Sequence, residues 1–188
     1  MHNCPDVIRV LVKHGASTNA RDDEYRTPLH MAAVRQSQQA VRVLLELGAS
    51  VKHIDLWWET AAQIPVHVGD IGSMRALVDA GLDFDLKYNR GRTILHSGVF
   101  GGKEMVELLL GQGGEKLVND QDHRLQTPLH LAVTKGDAEV VKLLVRHGAD
   151  TEVKDILGRT PMDCAISRGK YLSTGALLEC RGNVSNRG

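Results

Sequence analysis

Apolar residues in this chain come in short clusters, each closed by a polar or glycine-containing break. Leu129-His130-Leu131-Ala132-Val133 reads as one short helix and Lys135-Gly136-Asp137 as the break after it. Glu139-Val140-Val141-Lys142-Leu143-Leu144-Val145 reads as a second helix, and the polar, turn-rich segment beyond it predicts a hairpin. The predicted unit is therefore helix, turn, helix, hairpin.

That unit repeats. Thr27-Pro28-Leu29-His30 recurs as Thr127-Pro128-Leu129-His130, with weaker copies in Thr60-Ala61-Ala62-Gln63, Thr93-Ile94-Leu95-His96 and Thr160-Pro161-Met162-Asp163. The threonines at 27, 60, 93, 127 and 160 are spaced by 33, 33, 34 and 33 residues, and glycines at 15, 48, 81, 114, 148 and 182 keep the same period. Threonine can cap a helix through its hydroxyl, and a proline just after it has no intrahelical N–H to lose. Glycine ends the second helix because it takes the left-handed conformation at little cost. Helices of roughly eight to ten residues are too short to stand alone in water. They gain stability by stacking on neighbours, which predicts a quasi-one-dimensional solenoid.

This period, with Thr-Pro-Leu-His and a Gly-Ala after the second helix, resembles the ankyrin repeat over essentially the whole chain. The resemblance implies an all-α ankyrin-repeat solenoid of helix-turn-helix units joined by β-hairpin loops. It is read as a single domain over 1–188, with repeats at 22–54, 55–87, 88–121, 122–154 and 155–188. Before them, 1–21 is a partial repeat holding only a second helix, Val7 to Val12. Val7, Ile8, Val10 and Leu11 then lack a first helix to face. That fits a chain cut from a longer, multidomain protein, or residues covered by something else. Cys180-Arg181-Gly182-Asn183-Val184-Ser185 is more polar than its counterparts and reads as a C-terminal cap or natural end.

Composition narrows the partner. Twenty-three basic residues balance twenty-three acidic ones, which argues against duplex nucleic acid. A 42% hydrophobic chain is too apolar for disorder, and with 4% aromatics its core must be Leu, Val, Ile and Ala. Cys4, Cys164 and Cys180 are odd in number with no metal-ligand spacing, so they read as reduced thiols in a cytoplasmic or nuclear protein. The first residues lack a signal-peptide pattern, and no apolar run approaches the ~18 residues of a membrane span.

Candidate chemistry is sparse. His30, His96 and His130 share one register, and the resemblance implies a structural role, tying one repeat to the next. Successive copies about 10 Å apart cannot meet at one zinc ion with ligands at about 2.0–2.1 Å, so neither metal nor cofactor is expected. His14 and His147, just before helix-ending glycines, suit a helix C-terminus. His67 and Asp70 form a weak acid–base candidate; Cys164 reads as an inert core thiol. With no Gly-x-Ser-x-Gly, His-Glu-x-x-His or phosphate-cradling loop, no enzyme is expected. For Asn19 and Asn119 the resemblance allows asparaginyl hydroxylation, while turn formation explains them equally.

The resemblance implies a protein partner on the concave side, where hairpins and first helices lie. Positions the fold leaves free are those just before each threonine and those seven and eight after it. The candidate partner-binding set is Trp57, Trp58, Glu59, His67, Arg90, Arg92, Phe100, His123, Arg124 and Lys135, and the last repeat offers Ile156, Leu157, Arg159, Ser167 and Arg168 at the same offsets. Trp58 replaces the glycine usual at a hairpin tip. Exposed Trp and Arg dominate binding hot spots, each worth about 2 kcal/mol or more when central. A groove taking an acidic or amphipathic segment of a partner, anchored near Trp57, is expected; the other reading packs the tryptophans on the neighbouring hairpin. Repeat 55–87 also gains Pro65 inside its first helix, where a proline costs about 3 kcal/mol and kinks the chain. Such a distortion would open a pocket, and the alternative function is a scaffold adapted to bind or transform a small molecule near Trp57, His67, Asp70, Arg90 and Phe100.

Overall fold

The computed structural model describes residues 5–185, with side chains described through residue 180. Cys4 lies outside the described residues, as do the side chains of Arg181 to Ser185. The chain divides into two compact units, Met1–Asp83 and Phe84–Gly188. The first holds α1 (Pro5–Lys13), α2 (Pro28–Val34), α3 (Gln38–Glu46), α4 (Gln63–Val68) and α5 (Ile71–Asp79). The second holds α6 (Ile94–Gly101), α7 (Lys103–Gly111), α8 (Pro128–Lys135), α9 (Ala138–Arg146), α10 (Pro161–Ser167) and α11 (Tyr171–Ser185). Within each unit every helix pair packs on its neighbours, burying Leu29, Val41, Met74 and Leu77 in one and Ile94, Leu109, Leu129 and Leu144 in the other.

Local chemistry explains these short helices. Thr27, Thr93, Thr127 and Thr160 stand at the N-caps of α2, α6, α8 and α10. Second helices are capped by Ser37, Asp70 and Asp137, whose side chains accept the N–H of Ala40, Ser73 and Val140. Each such cap is worth about 1 kcal/mol. Helices α3, α5 and α9 end alike. A left-handed Gly48, Gly81 or Gly148 turns the chain, and the next N–H reaches back to the carbonyl of Leu44, Leu77 or Leu144 at 2.9, 3.1 and 3.0 Å.

The three in-register histidines each tie one repeat to the next within a unit. In His130, Nδ1 accepts the Thr127 N–H at 3.2 Å with the threonine hydroxyl at 3.0 Å. That leaves the proton on Nε2, which donates to the Arg159 carbonyl of the next hairpin at 3.1 Å. His30 reaches Glu59 and His96 reaches Gln126 in the same way, at 3.3 and 2.9 Å. Burial pushes all three imidazoles below their ordinary pKa, the carbonyl bond opposing only in part.

Three expectations are corrected. Helix α4 begins at Gln63, three residues after Thr60, so Pro65 falls in its first turn. The first intrahelical bond there is Val66 N–H to Ala62, one residue beyond the proline, and the expected mid-helix kink has no cause. Gly114 does not end its helix. With only Gly102 between α6 and α7, the left-handed residue moves to Gly113, and a 3-10 turn over Gly114–Leu117 absorbs the longer period. Gly182 does not end α11, which continues to Ser185. The hairpins are tight loops; among the described residues there is no strand, only an antiparallel bridge between Ile54 and Thr60.

Candidate functional site

The hairpin tips share one construction. At the same register stand Asp22, Asp55, Asp122 and Asp155, each accepting two backbone N–H groups on Oδ1. For Asp55 the donors are Trp57 and Glu59 at 2.8 and 3.0 Å, for Asp122 Arg124 and Gln126 at 2.8 and 3.0 Å. The chain is thereby held in a tight loop whose fourth residue, Tyr25, Trp58, Leu125 or Gly158, takes a positive φ. This aspartate keeps the threonine period in plain view. Sequence alone does not single out its role, because an aspartate in a polar loop looks like any other turn residue until its backbone partners are seen.

Tyr88 stands in the aspartate position of the remaining hairpin, the third in chain order, and brings no carboxylate. There Arg90 and Gly91 both turn left-handed, at φ 66° and 70°. Glycine is required at 91, because a Cβ would collide with the His123 ring. Backbone bonds then string the tips together within each unit: Leu56 N–H to Glu24, His123 N–H to Arg90 and Ile156 N–H to Arg124, at 3.1, 2.9 and 2.9 Å.

In the first unit, Trp57 and Trp58 project from their tip with half or more of their surface exposed, 51% and 70%. Trp58 sits at φ 62°, a conformation that suits the glycine it replaces. Glu59, beside them, is half-buried; burial, and next the Asp55 charge, raise its carboxyl above the ordinary range. His67 is exposed at the end of α4 and its Nδ1 donates to the Gln63 carbonyl at 2.9 Å. Asp70 is used by the fold. Its Oδ1 caps α5 at Ser73 and accepts the Gln38 amide at 2.8 Å.

The second unit brings Arg92, Phe100 and Arg124 to the wall of a pocket of about 420 Å³, together with Ile156, Leu157 and Arg168. Arg90 and His123 lie on the adjoining tips. Lys135 has a task of its own: its ammonium donates to the Val99 and Phe100 carbonyls at 2.9 and 3.2 Å and lies 3.4 Å from Asp137. A cation there completes the C-terminus of α6. Asp155, itself buried, is among the residues that line the pocket. Burial alone would raise its carboxyl, but the Arg159 guanidinium and the N–H groups of Arg159 and Leu157 hold it below the usual range.

The remaining candidates serve the fold. Asn19 and Asn119 accept the N–H of Ser50 and Asp150, each at 2.8 Å, and donate to the carbonyls of Gly48 and Gly148. Cys164 is buried, and burial pushes its thiol up. Among the described residues no group of three or more His, Cys, Asp or Glu could hold a metal ion, and no helix is long and apolar enough to cross a membrane.

Comparison with known proteins matches a family model of ankyrin repeats over residues 1–55 and 104–187. The chain is similar to ankyrin repeat and SOCS box protein 16 of Homo sapiens, 31% identical across 86% of this chain and 37% of that protein. It is similar to the B-cell lymphoma 3 protein homolog of Mus musculus, 33% identical across 87% of this chain and 38% of that one. Similarity to the nuclear factor NF-kappa-B p105 subunit of Gallus gallus is 29% over 87% of this chain and 17% of that protein. The chain thus spans well under half the length of these relatives.

Proposed function

Since the chain belongs to the ankyrin-repeat family, a family of protein-interaction modules, we propose that it docks a segment of a partner protein on its hairpin tips and the adjoining ends of its first helices. One observation carries this reading. Large apolar side chains that a folded domain would ordinarily bury stand exposed at the positions the repeat leaves free: Val34, Trp57, Trp58, Phe100, Ile156 and Leu157. Clustered exposed apolar side chains among polar ones mark interaction sites.

The partner is an acidic or amphipathic protein segment; the contact residues proposed in the first unit are Trp57, Trp58, Glu59 and His67, and those proposed in the second are Arg90, Arg92, Phe100, His123, Arg124 and Lys135. Arginine and tryptophan at these places are the residue types that dominate binding energy. The module acts by binding, with no catalytic step assigned to it. The small-molecule alternative loses its premise, because Pro65 costs α4 no hydrogen bond.

Affinity capture from cell extract, with the chain and with a Trp57→Ala, Arg90→Ala double variant, tests the reading. Proteins held by the wild type should be lost from the variant. The same proteins retained equally by both would overturn it.

A further inference from the structure

We infer that the pocket of the second unit reads a glutamate or aspartate placed next to a large apolar side chain in the partner segment, with Arg124 and Arg168 as the carboxylate-binding pair. This deepens the docking reading above and rests on it. Four guanidinium groups line the pocket, those of Arg92, Arg124, Arg159 and Arg168. Two already have carboxylates. Arg92 Nε lies 3.5 Å from Asp122, and Arg159 holds Asp155 through two nitrogens at 3.0 and 2.7 Å. Those pairs cancel in charge. The surplus is that of Arg124 and Arg168, both exposed and neither making a side-chain hydrogen bond or ion pair among the described residues.

Beside this surplus lie apolar groups that water should not cover. Ile156 and Leu157 on the tip are 62% and 70% exposed, and Phe100 lines the same pocket from the end of α6. A segment with only acidic residues would leave them wet, and one with only apolar residues would leave two guanidinium forks unanswered. A carboxylate adjoining an aliphatic or aromatic side chain satisfies both, since the arginine fork matches a carboxylate in two-point geometry. A nucleic-acid backbone is a poorer fit. It asks for a run of unpaired cations, and here two of four are already neutralised.

Fluorescence anisotropy with synthetic peptides tests this. The probe alternates glutamate with leucine and phenylalanine; its counterparts carry glutamine for glutamate, serine for the apolar residues, or phosphoserine for glutamate with the apolar residues removed. The first should bind, the glutamine and serine counterparts about tenfold or more weaker. An Arg124→Ala, Arg168→Ala double variant should lose the first peptide by the same factor, while Arg42→Ala, which removes an exposed arginine of α3 outside the docking surface, keeps it. Both arginines are exposed, so circular dichroism should show the fold intact, and Arg124→Glu should prefer a lysine-for-glutamate peptide that the wild type rejects. Unchanged binding by the double variant, or equal or tighter binding of the serine or phosphoserine peptide, would overturn the inference. If peptide binding ignores Arg124 and Arg168 while capture still depends on Trp57 and Arg90, this inference falls and the docking reading stands. If capture is indifferent too, both fall.

Discussion

Helices α8 and α4 occupy the same place in their repeats and are built by different rules. Helix α8 starts directly after Thr127, with Pro128 at its first position, a threonine cap and a buried His130 tied on both ring nitrogens. Helix α4 has Ala61 and Gln63 where those residues stand, and starts three residues after Thr60 on Ala62, which offers no side-chain cap. The difference teaches where a helix-breaking residue is harmless. Pro65 and Ala132 are both five residues past the repeat threonine. In α8 that position is mid-helix; in α4 the late start has moved it into the first turn, where no N–H partner is lost. A weakened start and an internal proline, each a defect alone, are compatible together.

The sharpest way to break this comparison is to exchange the two residues. Ala132→Pro places a proline in the interior of α8 at a fully buried site and should cost about 3 kcal/mol or more. Pro65→Ala should lower stability by only about 1–2 kcal/mol, because buried ring methylenes and the stiffness of the unfolded chain are lost but no hydrogen bond changes. Urea unfolding of the two variants measures both. A Pro65→Ala variant stabilised by more than about 2 kcal/mol would show α4 to be strained, reviving a distorted, pocket-forming repeat.

The same pair shows what could be read without coordinates. The repeat was legible because threonine and glycine each meet a backbone demand at a fixed step, and two independent markers kept one period. The start of α4 was not. It depends on whether Thr60-Ala61-Ala62 can close a first turn, and spacing carries no trace of that once proline and histidine are gone. Gly182 misled for a related reason: glycine permits a helix to end without compelling it to. Among the candidate contacts, Arg92, Phe100 and Arg124 were chosen by offset. Their meeting with Ile156, Leu157 and Arg168 depends on how one tip sits beside the next first helix, which a linear period does not encode. The paired state of Arg92, and the carbonyls held by Lys135, were invisible for the same reason.

A smaller effect should separate the repeats by pH. Replacing His130 by glutamine, the residue α4 carries at that register, should cost about 2–3 kcal/mol, since a buried donor and a buried acceptor lose their partners. Burial holds the folded-state pKa of His30, His96 and His130 below the unfolded value of 6.5. As pH falls, the unfolded chain therefore takes up protons first. Their contribution is complete above 6.5 and is eroded below it. The His130→Gln variant should be weaker than wild type at pH 7.5 and lose less on acidification to pH 5.5, as denaturant midpoints will show. An equal or steeper loss in the variant would mean that His130 does not titrate as its burial requires.

The smallest expected change concerns the tip that precedes α4. Trp58 holds φ 62°, where Gly158 takes the equivalent place before α10 at φ 74°. A left-handed conformation costs a side-chain-bearing residue roughly 1 kcal/mol, and glycine gives part of that back through the entropy of the unfolded chain. Trp58→Gly should therefore leave stability within about 1 kcal/mol of wild type and shift it, if at all, upward, while weakening capture of partner proteins. The two readings of the tryptophans part company on this measurement. A side chain that packs on its neighbours would take stability with it when removed, and a loss above about 1 kcal/mol in thermal or urea unfolding would assign Trp58 to the fold. An unchanged midpoint with lost capture would leave a tryptophan, 70% exposed and held in a conformation that favours glycine, with no account except what it touches when a partner is bound.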